Sequence, residues 1–416
     1  MGSKAATILG MGLFCFYVAS CALYVALSGG AAVLSVGAAI GGVGAGIAWT
    51  AQGTYFAETV QLAQRQQANV ASSQLAAIFA FWILVLETTM ESLSTILVRW
   101  AGVHWSFVFA VYAVVAVAST VAMWWVRSFQ RYHPQSSRST CHSGHGVAAL
   151  WLFVDDSRMK YFIAFNAVYG AGGAFLNSFV SGEVIPVVTN DDSSSLVGVL
   201  AAVHGVAAAG ASLLFGWYTA RSRSNASTTK VKVLIAGSVC FSLIGEPFLL
   251  HDDSVSWSWT SLIAVYVLEG FGRATAEGTL KAVFADYFSC AKEGAFAAII
   301  LQYGTLSSVA YLLANHFPCR TPRSTGCVEY RDGSLHDVHT FAEILVLSGV
   351  ASIACLVRVS FLDPESCNSN QRRYGIVAST ELTRQKKELP RSAAGQRRQA
   401  VAENESKSPP TDAKPS

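Results

Sequence analysis

The sequence predicts an all-α membrane protein that crosses the bilayer about ten times, and three observations predict it. Of 416 residues, 52% are apolar and only 13% charged, with a mean hydropathy of +0.40. No soluble core hides that much apolar length. Apolar runs near 20 residues recur along the chain, each able to cross a ~30 Å hydrocarbon core. The runs are continuous rather than alternating, which excludes a β-barrel. Charge sharpens the picture. Ten of the 29 Lys/Arg and seven of the 26 Asp/Glu lie in residues 362–416, so residues 1–361 hold nineteen of each sign. The body offers no basic surface to nucleic acid.

The runs define ten helices at 5–27, 31–56, 72–98, 103–126, 158–180, 195–219, 231–250, 257–283, 295–317 and 339–361. Helix 1 follows Lys4; it is too long for a signal-peptide core and lacks a cleavage site. Helix 2 carries Gly41, Gly42, Gly44 and Gly46, which suit close helix contact. With no preceding strand, Gly42-x-Gly44 is not a nucleotide loop. Helix 3 holds Glu87 and Glu91 and ends at Arg99. Helix 4 stops before Arg127. Helix 5 starts among Arg158 and Lys160 and carries Asn166 and Asn177. Helix 6 contains His204 and ends before Arg221. Helix 7 follows Lys230, and Glu246-Pro247 marks a break near its far end. Helix 8 is the charged one, helix 9 follows Lys292, and helix 10 runs into the tail.

Connector charges set the orientation. One set holds Lys4, Arg65, Arg127, Arg131, Arg138, Arg158, Lys160, Arg221, Arg223, Lys230, Lys232 and Lys292; the other holds Arg99, Arg320, Arg323 and Arg331. Twelve against four places Met1, the 127–157 loop and the tail in the cytoplasm. Asn225 and Asn404, each two residues before a Ser, then lie on the side where glycosylation does not reach.

An internal repeat organises these helices. A shift of 228 residues brings Lys4 onto Lys232, Gly42 and Gly44 onto Gly270 and Gly272, Phe56-Ala57-Glu58 onto Phe284-Ala285-Asp286, and Gln74 onto Gln302. Helices 1–4 then correspond to helices 7–10 in parallel orientation, and helices 5 and 6 have no partner in the first half. Two helices are expected to be missing before Met1. Two parallel six-helix halves describe the major facilitator architecture. The expected organisation is a first half at 1–126, a Ser- and His-rich inter-half loop at 127–157, a second half at 158–361 and a disordered cytoplasmic tail at 362–416.

The strongest chemical signal is Glu269, Arg273, Glu277 and Lys281 on helix 8, spaced four apart with alternating sign. Pairing along that stripe neutralises charges that lipid would penalise by at least ~2.5 kcal/mol each. The stripe is open to three functional readings (solute site, proton relay or gate) and to a structural one, an ion-pair ladder locking helix 8 to its neighbours, with Lys281 an anchor at the cytoplasmic end. Glu87 and Glu91, one turn apart with no nearby cation in sequence, form a pair able to share a proton, or a hydrated pair near the outer end. Asn166, Asn177, His204, Thr50 and Gln52 read mainly as polar glue between helices.

The nine cysteines show no metal-ligand spacing, and His142 and His145 beside Cys141 read as a solvated loop. Cys319 and Cys327, eight apart in the last outer connector, suit either a disulfide or two free thiols. Cys367, just past the last span, reads first as an ordinary free thiol and second as a palmitoylation site. Basic pairs Arg372-Arg373, Lys386-Lys387 and Arg397-Arg398 equip the tail to touch anionic lipid. No Ser/His/Asp, HExxH or Walker pattern occurs in a plausible context, so neither an enzyme nor a cofactor is expected.

The run Gly270-Phe271-Gly272-Arg273, Glu277 and Lys281 to Phe288, including Asp286, resembles the uncoordinated-ninety-three (Unc) family of ion channel regulatory proteins, a branch of the major facilitator superfamily. Lys292-Glu293-Gly294-Ala295-Phe296-Ala297 and Ile299 to Gln302 continue the resemblance. Trp49-Thr50-Ala51-Gln52-Gly53-x-Tyr55 is similar to the family's other signature, and Phe175 to Val180, with Asn177, to its seventh helix. Gly2-x-Lys4 resembles the end of its second intra-half loop, so the chain begins at the family's third helix. It departs from the family at Leu280, Ala298 and Glu87. The resemblance implies a regulatory or trafficking partner of another membrane protein, a channel or receptor. The alternative is a proton-coupled secondary transporter of a small polar solute. The resemblance favours the first.

Overall fold

The computed structural model describes residues 2–27, 30–65, 71–128, 152–154, 156–189, 196–222, 226–250, 258–288, 292–314, 327–329 and 335–362. All belong to one compact unit. Ten long helices fill it: α1 (Ser3–Leu27), α2 (Ala31–Arg65), α3 (Ser72–Thr95, extended by a π-helical turn Ile96–Trp100), α4 (Trp105–Ala122), α5 (Ser157–Ala174), α6 (Val197–Arg221), α7 (Ala226–Leu250), α8 (Trp259–Ala274), α9 (Lys292–Ala314) and α10 (Val338–Ser360). Two continue through π-helical segments, α5 by Phe175–Val184 and then Ile185–Thr189, α8 by Thr275–Leu280 and then Lys281–Tyr287. Nine of the ten are long and apolar enough to cross a membrane, and only α8 falls short because of its charges. The protein is an integral, multi-pass membrane protein.

Local chemistry starts these helices where the sequence places them. Asp156 accepts from the Arg158 amide at 2.9 Å and caps α5, Ser258 caps α8, and the His104 ring caps α4. Pro247 does not break α7, which continues to Leu250. One lost hydrogen bond three residues from the end costs little. A short antiparallel ladder pairs β1 (Cys327–Glu329) with β2 (Leu335–Asp337) between α9 and α10. The 129–151 stretch of the inter-half loop, Cys319, the Cys327 side chain and the tail beyond 362 lie outside the described residues, and with them the disulfide and lipid-contact expectations.

Alternation of the helices gathers their ends. At the end carrying Ser3, the Ser3 hydroxyl donates to Glu58, Lys4 to the Trp124 carbonyl, and Lys292 to Gln61 at 2.5 Å. Just inside lies an apolar cluster that joins α2 and α3 to α5 and α7–α10, with Phe56, Val60, Ala76, Phe162, Leu280, Phe284, Phe288 and Phe296 at its centre. A second cluster around Phe175, Phe248 and Phe341 fills the opposite part of α5–α10. Gly53 is where α2 meets α9, since any Cβ there would run into the Phe296 ring.

The 228-residue shift maps only part of the packing, Gly44 meeting Leu13 of α1 as Gly272 meets Phe241 of α7. α8 seats on α6 at Gly270, where a Cβ would meet the His204 carbonyl oxygen at 2.6 Å. Its image, Gly42, has nothing within 4 Å. α3 seats on α6 through Ser73, Ala77 and Thr88 against Gly216 and Gly205. The images of Ser73, Ala77 and Leu84 on α9 are Leu301, Thr305 and Leu312, all exposed. Among the described residues, α6 has no counterpart against α2 and α9. Of the four α2 glycines between 41 and 46, Gly41 and Gly44 meet α1, whereas Gly42 and Gly46 are bare.

Candidate functional site

The helix 8 charges lock that helix to its neighbours, and only one of their pairings runs along the helix itself. In a 3.6-residue repeat each four-residue step drifts by about 40°; the π segment, with its wider turn, opposes that drift and keeps the four residues facing one way. Neighbouring helices then supply most of their partners. Glu269 pairs with His204 of α6, both nearly buried. Arg273 donates to Glu87 of α3 at 2.5 Å. Only Glu277 and Lys281 pair along the helix, at 2.6 Å, and Tyr169 of α5 also donates to Glu277, at 3.2 Å. The Glu87–Glu91 pair therefore does have a cation beside it, Arg273.

Lys281 is not an anchor at the helix end. Its side chain is 14% exposed and its ammonium sits 5.0 Å from the Trp49 ring and 5.3 Å from the Phe79 ring. Trp49, on α2, and Phe79, on α3, thus hold a cation from α8 by their π faces. Asp286, five residues on from Lys281, pairs with Lys230 of α7 and accepts from Ser72 of α3 at 3.1 Å. Lys230 also donates to Ser72, at 2.8 Å. These contacts tie α2 and α3 to α7 and α8 on the Ser3 side of the molecule.

Beyond them, away from the Ser3 end, is a cavity of about 240 Å³ bounded by α3, α5, α6, α8 and α9. Its charged lining is Glu87, Glu91, Glu269, Arg273 and His204. Tyr169, Tyr266 and Tyr303 add an aromatic wall, with the Tyr169 and Tyr303 rings stacked at 4.6 Å. Asn177, Ser181, Leu176, Gly173, Ala201 and Val197 complete it, and Val197 is the first residue of α6. The cavity thus runs from mid-depth toward the end opposite Ser3, while the Phe56–Phe284–Phe296 cluster closes the other side.

The other singled-out residues divide between this site and plain packing. Asn177 lines the cavity and donates to the Tyr311 hydroxyl at 3.4 Å. Asn166 is fully buried and donates to Gln302 at 2.7 Å, tying α5 to α9, so both are structural glue. Gly272 meets the Phe241 ring. Gly294 is buried and Glu293 exposed in the first turn of α9. Tyr55 donates to the Arg127 carbonyl, and Gln52 and Thr50 are half-buried on α2, outside the cavity. Among the described residues no group of three metal ligands occurs. Sequence reading missed Tyr169, Tyr266, Tyr303 and Ser181. Their signal is weak, because a tyrosine in a span reads as an interface residue until its neighbours are known.

No family model matches the chain, and no curated protein matches it. Among solved structures, the chain is similar to a crystal structure of the E. coli fucose:proton symporter, with a TM-score of 0.52 and 13% identity over 87% of this chain and 84% of that one. The fold is that of a major facilitator superfamily transporter.

Proposed function

We propose that this protein is a secondary transporter of a small polar solute, with proton coupling carried by the cavity carboxylates. The observation that supports this is the placement of three carboxylates, a guanidinium and an imidazole around one cavity between α3 and α8, with the Phe56–Phe284–Phe296 cluster closing its Ser3 side. Buried charge is costly and persists in membranes mainly where it meets a solute, an ion or a proton. A cavity closed toward one membrane face is what alternating access requires of each end state. Glu91 is the first coupling candidate, because Glu269 is paired with His204, Glu277 with Lys281 and Glu87 with Arg273; Glu87, one turn from Glu91 and partly exposed, is the second. The orientation that connector charges give makes the closed side cytoplasmic and this state outward-facing.

Purified protein in liposomes tests the reading. Uptake driven by an imposed proton gradient, lost in Glu91→Gln or Glu87→Gln at normal abundance, is the expected result. A second reading, a regulatory or trafficking partner of a channel or receptor, is favoured by the bare Gly42–Gly46 face of α2, which suits another membrane helix. It gains if no gradient drives uptake while a membrane protein co-purifies and is lost in Gly42→Leu.

A further inference from the structure

The cavity's charges do not cancel, and the residue left over identifies what the site accepts. Glu87 is bound by Arg273, and Glu269 by His204, whose facing atoms complete no hydrogen bond beyond their ion pair. Glu91 is different. Its carboxylate has neither a hydrogen bond nor a salt bridge among the described residues, yet it lines the cavity one turn from Glu87. Even with His204 protonated, the lining carries one carboxylate more than it carries cations.

We propose that the cavity binds a small organic monocation, its ammonium held by Glu91 and its apolar part against Tyr169 and Tyr303. This rests on the transporter reading and names its substrate class. An anion would meet two or three carboxylates in a desolvated space. A neutral polyol would leave Glu91 uncompensated, whereas a monocation supplies the missing charge and a charge-assisted hydrogen bond. The stacked Tyr169–Tyr303 rings present π faces and apolar area that suit an aromatic or alkyl ammonium. A bare metal ion is a poor fit, since it needs a close shell of ligands and no group of three His, Cys, Asp or Glu side chains is placed to hold one among the described residues. At about 240 Å³ the site is below the range of drug-sized pockets, which limits the solute to roughly one ring.

Four probes of similar context separate the possibilities: benzylammonium, benzyl alcohol, benzoate and potassium ion, each titrated against detergent-purified full-length protein by thermal shift and tyrosine/tryptophan fluorescence. Benzylammonium should bind roughly 10- to 100-fold more tightly than benzyl alcohol, the span expected of a hydrogen bond to a charged group. Benzoate and potassium should give no saturable shift. Glu91→Gln should bring benzylammonium down to the level of benzyl alcohol, and Glu91→Asp should retain the preference for the cation, which separates charge from folding. Equal binding of benzyl alcohol, tighter binding of benzoate or potassium, or no saturable binding of benzylammonium overturns the proposal. Cation-selective binding without gradient-driven benzylammonium uptake in liposomes leaves the site standing and removes the transporter reading instead.

Discussion

Arg273 is the residue whose loss should do most damage, and the structure specifies which partner it acts through. The spacing on helix 8 assigns it to Glu269 and Glu277, but each of those has its own partner, His204 and Lys281, while Arg273 reaches Glu87 on α3. Replacing Arg273 by Gln strands Glu87 beside Glu91 in the cavity. Breaking a buried pair costs about 3–5 kcal/mol. The Glu87 side chain is 38% exposed, however, so solvent screens much of that, and we expect about 2–3 kcal/mol. Glu87→Gln should cost less, about 1 kcal/mol, because a glutamine oxygen still accepts from the guanidinium. In a double-mutant cycle the Arg273/Glu87 coupling should be about 1–2 kcal/mol and should exceed the Arg273/Glu277 coupling. Reversible unfolding of purified protein in mixed micelles measures both cycles. Additivity for Arg273 and Glu87, together with strong coupling of Arg273 to Glu277, would refute the pairing across helices and restore a ladder confined to α8.

Other substitutions test separate parts of the molecule. Gly270→Leu should sharply reduce folded protein, since its Cβ would meet the α6 backbone at 2.6 Å, whereas Gly42→Leu at the repeat-equivalent position should be tolerated; fluorescence-detected size-exclusion chromatography compares them. Lys281→Met keeps the stem between Trp49 and Phe79 but strands Glu277, so it should lower the midpoint of thermal unfolding, and Glu277→Gln in the same chain should recover part of it. Gly53→Val should separate α2 from Phe296 and abolish expression as a monodisperse species. For orientation, an impermeant thiol reagent applied to whole cells should label Ser258→Cys and miss Ser222→Cys, the opposite of what a reversed topology gives.

The sequence by itself determined the number and placement of the helices, because a ~20-residue apolar run has one stable fate in a bilayer and its flanking charges mark its ends. The ten expected spans all correspond to helices, with α2 running nine residues further, to Arg65. The packing keeps the 228-residue shift only in part: Gly44 meets Leu13 of α1 as Gly272 meets Phe241 of α7, whereas Gly270 is packed on α6 and Gly42 is bare. Glu58 and Asp286 bind near the starts of α1 and α7, through Ser3 and Lys230. The sequence also singled out the charges worth attention, as intramembrane ionisable residues are few.

Tertiary structure alone decided how those charges pair. Spacing reports only neighbours on the same helix, and Glu87–Arg273, His204–Glu269 and Lys281–Trp49 join residues at least 65 positions apart. The same limit hid Tyr169, Tyr266 and Tyr303, which become a wall only when α5, α8 and α9 converge. It hid the surplus carboxylate as well, because Glu91 differs from Glu87 only in what another helix brings to it.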